Sequence, residues 1–176
     1  MKNRLIILSD LWGKEKSKWI SHYLEQLQHD FTIQYYDCCS LGHIDKSDYT
    51  QENLHTQFVN GGIERAVQNL IQLETDKTDI LAFSIGGAIA WKYGVETGNI
   101  KTLYSISATR LRHESRKPYG KIMLFYGDQD YYAPDKNWFY TMNIKPQILK
   151  NKKHEVYTEK QFSKLFCKEI ITQKPY

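Results

Sequence analysis

The 176-residue sequence lacks the long hydrophobic run that a transmembrane helix requires. Such a helix needs about 20 consecutive apolar residues, whereas the apolar runs of this chain are only as long as single strands. The N-terminus also lacks the features of a secretory signal, because the apolar stretch at residues 5–8 is followed at once by Ser9 and Asp10. We therefore expect a cytoplasmic protein that has no membrane partner.

Cysteine and excess charge are scarce as well. The three cysteines cannot all pair with one another, and the adjacent Cys38 and Cys39 have neither zinc-ligand spacing nor a C-x-x-C redox motif. The net charge of +4 is spread along the chain without a dense basic helix, so the composition does not favour nucleic-acid binding. We predict reduced thiols, no metal site, no cofactor and no nucleic-acid partner.

Six short apolar runs, each bounded by turn residues, predict buried β-strands. They lie at residues 5–8, 31–36, 80–83, 103–106, 122–126 and 147–149. Segments with apolar residues at helical spacing lie between them, notably at residues 19–27 and 63–71. This alternation predicts an α/β fold with a doubly wound, mainly parallel sheet of about six strands flanked by helices. We expect a single domain over residues 1–176, with its ligand at the carboxyl ends of the strands.

Two further segments complete the organisation of the chain. Near the C-terminus, Thr158 and Gln161 fit a capping box, and it precedes an apolar helical stripe formed by Phe162, Leu165, Phe166 and Ile170. Residues 37–57 show no sustained period and exceed the usual length of a connection, which predicts a functional or mobile loop. We expect this loop to line the rim of the active edge.

Ser84 lies where a predicted strand runs directly into a helix, in the sequence Ala82-Phe83-Ser84-Ile85-Gly86. A catalytic serine on such a strained turn requires small neighbours two residues to either side, and Ala82 and Gly86 meet this requirement. The usual pattern has glycine in place of Ala82, so the match is partial. The alternative interpretation is a serine that only caps the helix N-terminus, and the motif alone leaves both open.

Two later loops add the other groups that a serine nucleophile needs. The strand at residues 122–126 is followed by a loop with two acids, Asp128 and Asp130, and His154 precedes the last helix. His43 and His113 are the competing histidines, whereas His22, His29 and His55 are interpreted as surface or helix residues. The order serine, acid, histidine favours a nucleophilic site over a simple helix cap.

In these motifs the chain resembles the α/β-hydrolase superfamily, over residues 4–171. The resemblance implies a minimal α/β-hydrolase core without a cap domain, in which residues 107–120 replace the cap. The family's acid loop has glycine, then aspartate, then proline, a pattern that matches Gly127, Asp130 and Pro134 and favours Asp130 over Asp128. The family position of the histidine favours His154.

The resemblance also implies an oxyanion hole made of two backbone amides. One is the amide of Ile85, which follows the nucleophile at a helix N-terminus. The other comes from the loop after the first strand, where residues 9–13 replace the usual His-Gly. The donor is Leu11 in one alignment and Trp12 in another, and both remain open.

A basic segment follows the strand at residues 103–106 and carries Arg110, Arg112, Arg116, Lys117 and Lys121 against the single acid Glu114. Such a segment is often only solvated surface. Its position beside Ser84 predicts steering of a small anionic or carrier-bound acyl substrate, and hydrolases that resemble carrier-protein ester esterases would use such a patch.

The function predicted from the sequence is therefore a serine hydrolase that cleaves a carboxylic ester or thioester through a Ser-His-Asp triad. One alternative is a non-catalytic binding protein of the same fold, because the elbow pattern is incomplete. A nucleotide-binding doubly wound domain is the least favoured alternative, since residues 9–13 form neither a dinucleotide fingerprint nor a P-loop.

Overall fold

A computed structural model describes residues 2–172 and contains one parallel β-sheet of six strands in the order β2-β1-β3-β4-β5-β6. The strands are β1 (Asn3–Leu8), β2 (Phe31–Tyr36), β3 (Thr78–Phe83), β4 (Ile100–Ile106), β5 (Lys121–Gly127) and β6 (Gln147–Leu149). All six predicted strands are confirmed. The predicted doubly wound α/β architecture is confirmed as well.

Helices cover both faces of this sheet. They are α1 (Ser21–Leu27), α2 (Cys38–Leu41), α3 (Gln51–Gln57), α4 (Ile63–Leu73), α5 (Ile85–Thr97), α6 (Lys136–Thr141) and α7 (Lys160–Thr172). Helices α1 and α7 pack on one face, and residues from α2 to α6 contribute to the core on the other. Successive strand residues point into the two cores in turn, so that Ile6 of β1 lies in one core and Ile7 in the other. This is the period-2 alternation expected of a strand.

The strand order brings two loops together at the carboxyl edge of the sheet. Strand β1 lies between β2 and β3, so the chain winds outward to β2 and then returns to the other side of β1. The register pairs Leu8 with Ala82, and both strands therefore end close together. The loops that follow β1 and β3 are adjacent at this switch point, where doubly wound sheets bind their ligands.

The prediction of a functional or mobile loop at residues 37–57 is wrong about the secondary structure of this segment. Helix α2 begins there, and the Asp37 carboxylate accepts hydrogen bonds from the backbone amides of Cys39 and Ser40. Helix α3 follows, with the Thr50 hydroxyl as its N-terminal cap. Each helix is too short to display a recognisable apolar period, and the side chain of Leu54 anchors α3 to the core.

The predicted capping box before the last helix is also wrong. The Thr158 hydroxyl donates to the Glu155 carbonyl within a 3₁₀ turn at His154–Thr158, and helix α7 begins only at Lys160. The predicted apolar stripe is partly correct, since Phe166 and Ile170 are buried while Leu165 is 64% exposed. Leu165 lies on the solvent side of α7, because the buried side is formed by Ser163, Phe166, Cys167 and Ile170.

Within residues 2–172, no helix is both long enough and apolar enough to cross a membrane.

Candidate active site

Ser84 occupies a sharp turn between β3 and α5. Its backbone has φ 51° and ψ −115°, a positive-φ conformation that is strained for a residue with a side chain. The turn is fixed because the Ser84 amide donates to the Ile106 carbonyl at 3.1 Å, and the Ser84 carbonyl accepts from the amides of Gly87 and Thr109 at 3.0 and 3.2 Å. Ala82 in place of the usual glycine does not prevent this nucleophile-elbow geometry.

The glycines after Ser84 allow α5 to approach the sheet closely. A Cβ atom at Gly86 would lie 2.4 Å from the Ser9 carbonyl oxygen, and one at Gly87 would lie 2.5 Å from the Ala108 Cβ. No real Cβ can approach other atoms so closely, so both positions require glycine. The small-residue pattern therefore has a steric cause, as the motif predicts.

The Ser84 side chain does not cap its helix. Its Oγ lies 3.0 Å from His154 Nε2 and makes no capping hydrogen bond. His154 stands at the start of the 3₁₀ turn before α7, with only 14% of its side chain exposed. Its imidazole packs against the rings of Tyr132 and Tyr157, whose centroids are 4.8 and 6.0 Å away.

Asp130 completes the line of hydrogen-bonding groups. His154 Nδ1 lies 3.0 Å from Asp130 Oδ2 and 3.1 Å from Oδ1, and the Asp130 side chain is fully buried. The Tyr132 amide also donates to this carboxylate, at 3.0 Å. The structure thus brings the predicted Ser84, His154 and Asp130 into one chain of hydrogen bonds.

The competing acid and histidines take other positions. Asp128 is exposed, and its carboxylate accepts from the Lys152 amide at 3.2 Å. Beside it, Gly127 is so close to the Lys152 backbone that a Cβ would lie 2.0 Å from the carbonyl oxygen. His113 lines the cavity in front of Ser84, whereas His43 lies 3.4 Å from the Asn69 amide in a second cavity.

The residues predicted to supply oxyanion donors lie around Ser84. Leu11, Trp12 and Ile85 all line the same cavity. The Trp12 amide donates to Asp10 Oδ1 at 3.0 Å and is therefore already used. In the described part of the chain, the amides of Leu11 and Ile85 donate no hydrogen bond to another protein group. The structure thus leaves Leu11, and not Trp12, with a free amide in this loop.

Side chains from α2 and the segment after it fix the carbonyls of the same loop. The Cys38 thiol donates to the Ser9 carbonyl at 3.1 Å, and the Cys39 thiol donates to the Leu11 carbonyl at 3.2 Å. The Tyr49 hydroxyl donates to the Trp12 carbonyl. Burial raises the pKa of the Cys39 thiol to about 12, so this group stays protonated and able to donate.

Asp10 is a buried carboxylate within this loop, with 1% exposure. It accepts from the Trp12 amide, the Ser17 hydroxyl at 3.0 Å and the Tyr157 hydroxyl at 3.3 Å. Desolvation by burial raises its pKa to about 6, although these hydrogen bonds act in the opposite direction. The role of Asp10 was not predicted from the sequence, because it depends on Tyr157, which is far away in the chain.

A cavity of about 550 Å³ opens in front of Ser84. Of the three arginines predicted to bind substrate, Arg110 and Arg112 line this cavity and Arg116 does not. Arg116 is exposed, and its backbone carbonyl accepts from the Trp91 indole at 2.9 Å. The charge of Glu114, the only acid in the basic segment, pairs with Lys92 at 3.2 Å.

Helix α3 forms part of the cavity wall through Gln51, Glu52 and His55. The prediction placed His55 on the surface or in a helix without a role, and its position in the cavity was missed. The signal that could have located it is Thr50, because an N-cap there starts a helix that puts residues 51, 52 and 55 on one face. Across residues 2–172, no three His, Cys, Asp or Glu side chains cluster as metal ligands would.

Comparison with known proteins gives matches in structure and none in sequence. No protein-family model and no curated protein matches this chain. Among solved structures, a putative hydrolase of the alpha/beta superfamily from Xanthomonas campestris pv. campestris has a TM-score of 0.68 at 13% identity, covering 97% of this chain and 99% of its own. Mouse alpha/beta hydrolase domain-containing protein 10 has a TM-score of 0.70 at 11% identity, covering 97% and 90%.

A third similar structure is Est1E from Butyrivibrio proteoclasticus, described with ferulic acid bound. It has a TM-score of 0.66 at 12% identity and covers 97% of this chain and 88% of its own. The resemblance inferred from the elbow, the acid loop and the histidine is confirmed at the level of architecture: this chain has the α/β-hydrolase fold.

Proposed function

We propose that the protein is a serine hydrolase that cleaves carboxylic esters or thioesters. The observation that carries the proposal is the line from Ser84 Oγ to His154 Nε2 at 3.0 Å and from His154 Nδ1 to Asp130 Oδ2 at 3.0 Å. A hydroxyl, an imidazole and a buried carboxylate in this order activate a serine for attack on an acyl carbon. Several structural relatives are described as hydrolases or esterases, which agrees with the proposal.

In the proposed reaction, Ser84 Oγ attacks the acyl carbon while His154 takes the hydroxyl proton. His154 then gives this proton to the leaving alcohol or thiol, and an acyl ester on Ser84 remains. Water, deprotonated by the same imidazole, attacks this ester, and the imidazolium returns the proton to Ser84 Oγ as the acid leaves. Asp130 holds the Nδ1–H of His154 and stabilises the imidazolium that forms in both steps.

The proposed oxyanion donors are the backbone amides of Ile85 and Leu11. The Ile85 amide opens α5, where the helix dipole favours negative charge. The Leu11 amide is favoured over that of Trp12, because the Trp12 amide donates to Asp10. The Cys39 thiol on the Leu11 carbonyl restricts rotation of the loop and supports this assignment.

The proposed substrate is a small or carrier-bound acyl group that carries negative charge. Among the described residues, neither Arg110 nor Arg112 forms an ion pair with an acidic side chain, and both line the cavity. Such unpaired cations attract anionic substrates and increase the rate of encounter.

The proposed location of the protein is the cytoplasm. The three cysteines are free and buried, which agrees with this proposal because cytosolic proteins keep their thiols reduced.

Reaction with a fluorophosphonate probe tests the proposed function. The probe should form one covalent adduct per chain, and mass spectrometry should locate it on Ser84. The Ser84→Ala variant should fold, fail to react and lose hydrolysis of p-nitrophenyl acetate by several orders of magnitude.

Ser107→Ala is the matched control for this experiment. Ser107 follows β4 as Ser84 follows β3, and it is buried with a positive φ of 52°, but it belongs to no part of the proposed machinery. This variant should react like the wild type. A wild-type protein without any adduct would support the alternative of a non-catalytic binding protein.

A further inference from the structure

Tyr157 is a buried residue next to the candidate site that the proposed reaction does not use. It is 4% exposed, and it lines the same cavity as Ser84 and His154. Its ring stands nearly perpendicular to the His154 imidazole, at 85° and 6.0 Å between centroids. It also packs on Phe83, the residue before the nucleophile, with centroids 5.5 Å apart. One ring therefore contacts both the histidine and the strand that delivers the serine.

The hydroxyl of Tyr157 extends this contact to the loop after β1. It donates to Asp10 Oδ2 at 3.3 Å, while Asp10 Oδ1 accepts from the Trp12 amide and the Ser17 hydroxyl, each at 3.0 Å. Burial raises the pKa of Tyr157 well above its ordinary value, although the nearby Ser84 hydroxyl lowers this pKa. Tyr157 thus stays protonated and remains a donor to Asp10.

We propose that Tyr157 is a positioning residue, anchored on the Asp10 carboxylate, which holds Ser84 and His154 in register with the loop that carries the Leu11 amide. This inference rests on the proposed function of the site. The physical reason is that reaction rates depend steeply on the placement of the reacting groups, and displacements near 1 Å cost about 100-fold. At 3.3 Å the hydrogen bond to Asp10 is a long one, so it fixes the placement together with the packing of the Tyr157 ring on Phe83 and His154.

The substitution Tyr157→Phe tests this role while keeping the ring. Phenylalanine preserves the packing on Phe83 and His154 but removes the anchor to Asp10. We expect kcat for p-nitrophenyl acetate to fall on the order of tenfold while KM changes less than about twofold. The rate of fluorophosphonate labelling should fall in parallel, with the final adduct still complete and still on Ser84.

Asp10→Asn is the conservative counterpart. The asparagine oxygen can still accept from the Trp12 amide, and its amide can donate to the Tyr157 oxygen, so the anchor persists with its direction reversed. We expect kcat within about threefold of the wild type. In the Tyr157→Phe background the anchor is already absent, so adding Asp10→Asn should lower kcat no further. A loss from Asp10→Asn alone as large as that from Tyr157→Phe would contradict the anchoring role.

Tyr93→Phe is the matched control. Tyr93 is also buried, and its hydroxyl donates to the Glu74 carbonyl at 3.0 Å, away from the cavity. It should leave kcat unchanged, although both phenylalanine variants lose a buried hydrogen bond. If Tyr157→Phe shows wild-type kcat and labelling rate, the positioning role is wrong while the serine hydrolase stands. If the wild type forms no adduct on Ser84, the proposed function itself fails.

Discussion

Asp128 and Asp130 lie two residues apart and have different partners. Asp130 Oδ2 is 3.0 Å from His154 Nδ1, whereas Asp128 Oδ1 accepts from the Lys152 amide at 3.2 Å. Only one of these acids can therefore orient the imidazole. The other joins two loops.

The first prediction separates these two acids. Asp130→Asn should lower kcat for p-nitrophenyl acetate about 10⁴-fold, because the amide favours the wrong imidazole tautomer. Asp128→Asn should keep most of the activity, since its partner is a backbone amide outside the reacting line. Steady-state kinetics of the two variants provide the measurement. Equal losses, or a larger loss in Asp128→Asn, would contradict the assignment of Asp130.

The second prediction concerns the dependence of stability on pH. Burial raises the pKa of Asp10 in the folded state from 3.8 to about 6, so the folded protein binds this proton more tightly than the unfolded chain. The contribution of this group to stability is fully present below pH 4 and is lost as the pH rises to about 6. The loss amounts to about 3 kcal/mol.

Asp10→Asn removes this titration. The free energy of unfolding of the variant minus that of the wild type should increase by about 3 kcal/mol from pH 4 to pH 7, because only the wild type loses the contribution of Asp10. Urea denaturation at both pH values measures the difference, and the wild-type curve cancels the contributions of the other carboxylates. A difference that does not change with pH would show that Asp10 has no raised pKa.

The third prediction uses the two ends of helix α5. Gly86→Ala should destabilise the fold by more than about 2 kcal/mol and reduce activity, because the new Cβ is forced against the backbone at Ser9 and displaces the elbow. Gly98→Ala, at the other end of the helix, meets no atom within 4 Å and is strained only by its φ of +70°. It should cost about 1 kcal/mol and leave kcat unchanged. Thermal denaturation and ester hydrolysis of both variants test this contrast.

The fourth prediction tests the charge of the cavity. In the double variant Arg110→Glu/Arg112→Glu, KM for a p-nitrophenyl ester with a carboxylate on its acyl chain should rise on the order of tenfold at low salt. The increase should shrink above ~0.1 M salt, where the Debye length falls below ~10 Å. A neutral p-nitrophenyl ester should be hydrolysed as before.

The control for the charge reversal is Arg116→Glu/Lys117→Glu. It changes the net charge of the same segment by the same amount, but neither side chain lines the cavity. Its KM for the anionic ester should stay within about twofold of the wild type. If both double variants behave alike, the effect reflects net charge and gives no support to a binding role for Arg110 and Arg112.

The strands and the elbow could be predicted from the sequence because their causes are local. A strand buried on both faces is apolar along its whole length, and a strained serine turn needs small neighbours, which Gly86 supplies. The choice between Leu11 and Trp12 could not be predicted. It depends on Asp10, which takes the Trp12 amide and is itself held by Tyr157 from near the other end of the chain.

Helix α2 and the position of Arg116 could not be predicted from the sequence either, and the sequence signal for α3 is limited to its cap at Thr50. Helix α2 has four residues and α3 has seven, so each depends on its cap and on tertiary packing more than on periodicity. Arg112 and Arg116 share a charge and a segment. After the 3₁₀ turn Leu111–His113, however, the Arg116 carbonyl is bonded to the Trp91 indole outside the cavity.

The close approach of Gly127 to Lys152 has a consequence for how the site opens. The amides of Asp128 and Gln129 donate to the carbonyls of Leu149 and Lys152, both at 3.0 Å, so the two loops that carry Asp130 and His154 form one unit at the β6 edge. Ser84 belongs to the centre of the sheet. Local unfolding of this edge in the native state would therefore move Asp130 and His154 together. The hydrogen bond between Ser84 and His154 would break, while the bond to Asp130 would keep the imidazole in the same tautomer.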